Sequence, residues 1–241
     1  MMAFHGKTIW LVGASEGLGL ALAKQLAAEG AQLILSARSE DRLHEIAKNL
    51  PNARALPLDV SDLSSIQHAY AQIKHLDGVI YNAGAYEPMS AQNWNTKSAL
   101  NMVEVNLSGA LRVIGCVLPD FLAQERGDIT LIGSLSGYRG LPKAIGYGAS
   151  KSALISLAET LRHDLKGTGV GVRLINPGFI RTRLTDKNTF KMPMLMEPEQ
   201  AAQKICAALL RKRFRTDFPA PFSWAIRLYG LLPDGIVYRG K

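Results

Sequence analysis

The sequence predicts an α/β protein, one domain built on a Rossmann-like, doubly wound parallel sheet with helices on both faces. Three observations predict it. Strand-like and helix-like segments alternate from the N-terminus without a break. A glycine-rich turn follows the first strand and opens the first helix. The chain is 241 residues long and 47% hydrophobic, enough for one substantial core.

Residues 7–12 read as the first strand, 18–29 as a helix, and 32–36 as the second strand. A helix over 40–50 leads to a short third strand, 53–58, which Asp59 ends. Residues 63–73 are helical, and 78–81 form a continuous apolar run, the pattern of a strand buried on both faces. A long helix spans about 97–122, strand 128–132 follows, then a helix over 147–166 and a strand over 169–175. After Asn176-Pro177-Gly178 the regularity lapses into a basic loop ending in Met192, Met194, Leu195 and Met196. A last helix, 198–213, starts with Pro198, which a first helical turn tolerates. Within one domain of 1–241, residues 179–213 thus read as a substrate loop and helix, and 214–241 as a C-terminal extension.

Composition excludes several classes. No stretch of eighteen residues is both charge-free and predominantly apolar, so no membrane-spanning helix is expected. The apolar run 8–12 is too short for a secretory signal and passes directly into the glycine turn. Cys116 and Cys206 stand far apart and the five histidines form no ligand pattern, so reduced thiols, a cytoplasmic location and no metal are expected. The net charge of +8 gathers toward the end: residues 200–241 hold eight Lys or Arg against two Asp. Without a recognition motif or aromatic stacking pattern, this tail does not read as a nucleic-acid binder. Arg227 and Arg239 flank Leu228, Tyr229 and Leu231, a mixture suited to a membrane interface, to the domain's own surface or to another subunit.

The turn Gly13-Ala14-Ser15-Glu16-Gly17-Leu18-Gly19 has the context of a dinucleotide site. Its glycines let the backbone approach a pyrophosphate, which the N-terminus of the next helix attracts. The second strand ends in Ser36-Ala37-Arg38-Ser39, without the carboxylate that would hold a ribose 2′-hydroxyl. Arg38 can instead hold a 2′-phosphate through charge-assisted hydrogen bonds, so NADP(H) is expected ahead of NAD(H).

Tyr147 and Lys151 lie four residues apart, on one face of a helix. A phenol ordinarily loses its proton near pH ~10, and a neighbouring ammonium favours the phenolate. The pair therefore reads as a tuned acid/base, with the Ser134 hydroxyl thirteen residues upstream.

Taken together, these residues resemble the short-chain dehydrogenase/reductase family, in its branch of about 250 residues, from Lys7 to about Thr182. The resemblance rests on the glycine turn, Asp59-Val60, Asn82-Ala83-Gly84, Asn106, Ser134, Tyr147 with Lys151, and Pro177-Gly178. It implies that Gly13, Ser15, Gly17, Leu18 and Gly19 bind the cofactor, with Asp59 and Val60 at the adenine. It implies that Asn82, Ala83 and Gly84 support the sheet beside the cofactor, and that Pro177, Gly178, Ile180 and Thr182 line the nicotinamide side. Tyr147 would give or take the proton, Ser134 would hold the substrate carbonyl, and Lys151 would hold the ribose and lower the Tyr147 pKa. Asn106 would hold a water linking Lys151 to solvent. Departures are Val12 for the usual Thr, Tyr81 for Asn or Asp, and Glu16 where some NADP-preferring members are basic.

The implied activity is interconversion of a carbonyl and an alcohol with hydride from NADP(H), in a homodimer or homotetramer built on the long helices. The methionines after Thr182 suggest an adaptable apolar lid and a hydrophobic, lipid-like substrate. The alternative is a catalytically silent NADP(H)-binding regulator or scaffold, which the same fold can support.

Overall fold

β1 (Thr8–Val12) lies inside a seven-stranded, all-parallel sheet of order β3-β2-β1-β4-β5-β6-β7 in the computed structural model, which describes residues 3–211 and 213–239. Lys212 and Lys241, both counted in the basic tail, lie outside the described residues. The other strands are β2 (Gln32–Ser36), β3 (Ala53–Ala55), β4 (Gly78–Tyr81), β5 (Gly127–Ile132), β6 (Val170–Pro177) and β7 (Arg215–Phe218). The chain builds outward from β1 to β3, then returns to β4 on the other side of β1. That reversal opens a crevice at the carboxyl ends of β1 and β4, where doubly wound sheets bind ligands.

The helices are α1 (Gly17–Ala28), α2 (Glu40–Lys48), α3 (Leu63–Tyr70), α4 (Thr96–Val103), α5 (Gly109–Ala123), α6 (Ile145–Asp164), α7 (Pro198–Leu210), α8 (Phe222–Leu231) and α9 (Asp234–Val237). Successive strand residues point to opposite faces, so each strand feeds two cores. Trp10, Val12, Val79 and Leu131 pack with α3, α5 and α6; Leu11, Leu33, Ile80 and Ile175 pack with α1, α2 and α7. Burial on both faces explains the continuous apolar strands.

Four expectations are corrected. The third strand ends at Ala55, although Leu56 and Leu58 still donate their N–H groups to Leu35 O (2.8 Å) and Ala37 O (3.1 Å). The long helix is not uniform: α4 and α5 join through a wide π turn, Glu104–Ser108, whose Val105 carbonyl accepts a 2.5 Å hydrogen bond from the Tyr81 hydroxyl. Tyr81 thus anchors the turn that carries Asn106. As one helical run, Thr96–Ala123 is long and apolar enough to cross a membrane by length and composition, contrary to expectation. Two of its charges, Glu104 and Arg112, pair with each other, and Ala110, Val113, Val117 and Phe121 are spent on the core. Finally, residues 215–218 are not part of an extension: β7 pairs with β6 in register Ile175↔Thr216 and Asn176↔Asp217.

Candidate active site

At the crevice the glycine turn is drawn tight against the end of β4. Gly13 has φ +92°, and a Cβ there would stand 2.5 Å from the Ala83 nitrogen. A Cβ on Gly19 would overlap the Gly13 carbonyl oxygen. Asn82 braces the loop by donating its side-chain amide to Gly13 O at 2.8 Å. The loop therefore keeps its outer side free and presents the N-terminus of α1 to a cleft of about 780 Å³.

That cleft is lined by every residue expected to contact cofactor, from Gly13, Ser15, Gly17, Leu18 and Gly19 to Pro177, Gly178, Ile180 and Thr182. Arg38, Asp59 and Val60 line one end; Asn82, Ala83 and Gly84 line the middle. Burial pushes the Asp59 carboxyl up, but hydrogen bonds from the Ser61 N–H (2.9 Å) and hydroxyl (2.7 Å), with the Arg38 charge, leave it below its ordinary value. Arg42, four residues after Arg38, lines the same end and was missed from the sequence. Its signal was helix phase, since α2 begins at Glu40 and turns position 42 toward the end of β2. Glu16 reaches Arg42 at 3.6 Å and Arg183 at 2.9 Å, so the acidic residue in the glycine turn is neutralised by two arginines.

At the other end stand Ser134, Tyr147 and Lys151. Ser134 follows β5 in extended conformation (φ −166°), and its Oγ accepts the Ser136 N–H at 3.1 Å. Its own proton stays available, and the hydroxyl stands near enough to Tyr147 to oppose the rise in the phenol pKa. Tyr147 and Lys151 emerge from the first two turns of α6, on one side. The Lys151 Nζ lies 5.7 Å from the Tyr147 ring centroid and donates to Ile132 O at 2.8 Å. Lys151 is buried, and burial pushes its pKa down to about 8.

The expected lowering of the Tyr147 pKa does not appear. Burial raises it, the Ser134 hydrogen bond opposes that rise, and the Tyr86 phenol beside it adds to it. The reason is directional: the Lys151 ammonium is tied to a carbonyl rather than to the phenol oxygen.

Asn106 sits behind the wall of the cleft. It is fully buried and does not line the cleft. Its Nδ2 donates to Ala85 O (3.0 Å) and Ser150 Oγ (2.9 Å), while Oδ1 accepts the Ala85 N–H at 2.7 Å. Both amide protons are therefore used, and the side chain ties the segment after β4 to α6. Ser150, not singled out in the sequence, completes the link by donating to Tyr147 O at 2.8 Å.

The apolar lining also differs from expectation. Phe179, Phe190 and Phe222 meet here, with Phe179 stacked on Phe222 at 5.8 Å and edge-on to Phe190 at 5.7 Å. Met196 is instead buried in the α1–α7 core, and Met194 is exposed. α7 packs its Ala201, Ala202 and Ile205 on that same core and adds no residue to the cleft lining. Tyr86 stands 4.9 Å from Tyr147, edge to face, and donates to Asn188 at 2.6 Å, which ties the loop after β6 over the acid/base end.

The family model described as short chain dehydrogenase matches residues 7–192. An uncharacterized oxidoreductase of Myxococcus xanthus is 33% identical over 95% of this chain and 93% of its own length. The 3-oxoacyl-acyl-carrier-protein reductase of Escherichia coli is 33% identical over 76% of this chain and 78% of its own. The solved structure of a short chain dehydrogenase from Burkholderia cenocepacia in complex with NADP superposes with a TM-score of 0.86 at 24% identity, covering 98% of this chain and 97% of that one. With this sheet order, this glycine turn and these matches, the chain belongs to the short-chain dehydrogenase/reductase family and is an NAD(P)-dependent oxidoreductase.

Proposed function

We propose that the protein is an NADP(H)-dependent carbonyl reductase for apolar, lipid-like substrates, with Tyr147 as its proton donor. The observation that carries this reading is one cleft with the Ser134–Tyr147–Lys151 group at one end and Arg38 with Arg42 at the other. The glycine turn and the α1 N-terminus suit a pyrophosphate, and two arginines suit a 2′-phosphate better than a bare ribose. The Burkholderia structure, solved with NADP, supports the same choice. NADPH, when bound, supplies the hydride.

The chain's own groups do the rest. Ser134 and Tyr147 direct two O–H groups to one place, where they would hold a carbonyl oxygen and stabilise the charge that develops on it. A phenol pushed up by burial stays protonated at neutral pH, the form needed to give a proton to an alkoxide. Lys151, below its pKa of about 8, carries a cation beside that phenol and supports it as it turns to phenolate. Asn106 acts as a positioning residue through Ser150 and Ala85. Phe179, Phe190 and Phe222 favour an apolar substrate. The Ser134–Tyr147–Lys151 group, intact at one end of the cleft, weighs against the silent-scaffold alternative.

Exposed Leu100, Leu111 and Leu122 on α4 and α5 suit assembly into a homodimer or homotetramer through the long helices. The free thiols of Cys116 and Cys206 suit the cytoplasm.

The test is Tyr147→Phe with a panel of medium-chain and long-chain ketones and NADPH absorbance as readout. Loss of the general acid should lower turnover by about 10²–10⁴-fold, while NADPH binding by fluorescence titration stays unchanged. Turnover within a few fold of the parent would refute the assignment.

A further inference from the structure

We propose that α8 and α9 dock the protein on an anionic lipid bilayer, with the outer face of α8 as the membrane-facing side. α8 has two apolar sides. One is committed to the protein: Phe222 and Ile226 line the cleft, and Ser223 between them is fully buried. The other is bare. Trp224, Leu228 and Leu231 are 68%, 64% and 81% exposed, at spacings of four and three that set them in one row along the helix. Ile236 and Tyr238, on and just after α9, continue the exposed apolar surface at 56% and 63%. Scattered single hydrophobics on a surface need no explanation, but a row of this kind on one short helix does.

Charge complementarity selects the occupant. Arg211, Arg213, Arg215 and Arg227 line a shallow basin of about 280 Å³ together with Trp224. Arg211 and Arg213 are exposed and enter no ion pair among the described residues. Each of the two acids of this segment is paired with an arginine, although the Asp234 side chain is itself 83% exposed. Asp217 has a side chain only 6% exposed and accepts from Tyr138, Asn176 and Arg227, while Asp234 pairs with Arg139. An apolar row rimmed by unpaired arginines is the pattern of an interfacial helix: Trp and Leu enter the headgroup boundary and the guanidinium groups meet lipid phosphates. A nucleic acid would leave the Leu228–Leu231 row uncovered. A second copy on the row is the outcome that the solution mass in the test below separates from lipid docking.

The docking does not rest on the reductase reading, but its consequence does. A helix that walls the cleft with one side and lies on the bilayer with the other brings the apolar end of the cleft within about one helix diameter, ~10 Å, of the acyl chains. An apolar carbonyl compound would then pass from lipid to the Phe179–Phe222 end without crossing water.

The experiment is flotation of the full-length protein with vesicles of phosphatidylglycerol and phosphatidylcholine, and with phosphatidylcholine alone. The wild-type protein should float with the anionic vesicles and be released by salt. Trp224→Ser, Leu228→Ser and Leu231→Ser combined should lower partitioning at least about tenfold, with circular dichroism and solution mass unchanged. Arg211→Gln with Arg213→Gln, both on the surface and safe for folding, should lower it by roughly 25-fold, since each Arg near an anionic surface is worth about fivefold. The proposal is overturned if the wild type stays at the bottom of the gradient, or if the apolar triple variant floats as the parent does. It is equally overturned if that variant drops to a smaller oligomer, because a second copy then covers the row. Turnover of a water-soluble ketone is read separately, so a protein that floats without activity refutes the reductase reading and leaves the docking intact.

Discussion

Lys151 should make the folded protein more stable as pH rises from neutral, against the usual trend of a basic protein. Its side chain is 4% exposed, with one hydrogen bond, to Ile132 O, and no carboxylate partner among the described residues. Burial pushes its pKa down to about 8 in the folded chain, while an unfolded lysine titrates near 10.4. Below both values the proton is bound in either state and the fold carries a buried cation at full cost, about 3 kcal/mol from the size of that depression. Between them the unfolded chain holds a proton that the folded chain has released, so stability climbs with pH and levels off above the unfolded value. From about pH 7 to about pH 9.5 roughly 2 kcal/mol should be regained.

The perturbation that isolates this is Lys151→Met, which keeps the side-chain volume and removes the titrating group. Lost packing and the orphaned Ile132 carbonyl change the variant by an amount that does not depend on pH. The pH-dependent part of the wild-type-minus-variant difference therefore reports Lys151 alone. Urea unfolding followed by tryptophan fluorescence, without cofactor, at about pH 7 and about pH 9.5, should show that difference shift by about 2 kcal/mol in favour of the wild type at the higher pH. A difference that is flat with pH would mean that the ammonium is as well solvated in the fold as in water, and the reasoning from burial would fail. A confirmed shift would identify Lys151 as a residue kept for the chemistry at a cost to the fold.

Two further outcomes follow from the site. Arg38→Ser with Arg42→Ser should weaken NADPH by one to two orders of magnitude, from the loss of two charge-assisted contacts, and leave NADH nearly unchanged; fluorescence titration with both nucleotides checks this, and equal losses would sink the 2′-phosphate assignment. Asn106→Ala should leave the buried Ala85 amide groups and the Ser150 hydroxyl without their partner, costing about 1–3 kcal/mol of stability; the accompanying sign that it positions rather than merely stabilises is a drop in kcat larger than any change in the NADPH Kd.

What the sequence made legible was local. Tyr147 and Lys151 are four apart on a helix whose geometry is the same in any protein, so their meeting could be read directly. The glycine turn is likewise a strand-to-helix join within one short segment. What it hid was set through space. Arg42 reaches the cofactor end only because α2 starts where it does. Asn106 is buried behind the cleft wall, beside a π turn that Tyr81 pins through Val105, twenty-four residues further on. β7 was missed because Arg215-Thr216-Asp217-Phe218 has neither an apolar run nor alternation; its Asp217 is held by Tyr138 and Asn176, and its Arg215 by Glu159. The methionine lid was misread for a related reason, since three phenylalanines separated by up to forty-three positions converge where no local pattern announces them.

The same through-space wiring decides how the C-terminal segment must be tested. Ser134 begins the short turn Leu135–Gly137, and the next two residues are committed to the far end of the chain. The Tyr138 hydroxyl donates to Asp217 at 2.8 Å and accepts from Asn176 at 3.2 Å. Arg139 donates to Leu232 O at 2.8 Å and pairs with Asp234. Asn176 precedes Pro177 and Gly178 on the cofactor side of the cleft. Deleting residues after 218 would therefore remove the partners of Arg139 and the Phe222 wall together, loosening the turn that aims Ser134. A truncated protein that lost both lipid binding and turnover would say nothing about either. Substitutions confined to Trp224, Leu228 and Leu231 leave those ties in place, so a loss of flotation with full turnover of a soluble ketone separates the outer face of α8 from its inner one.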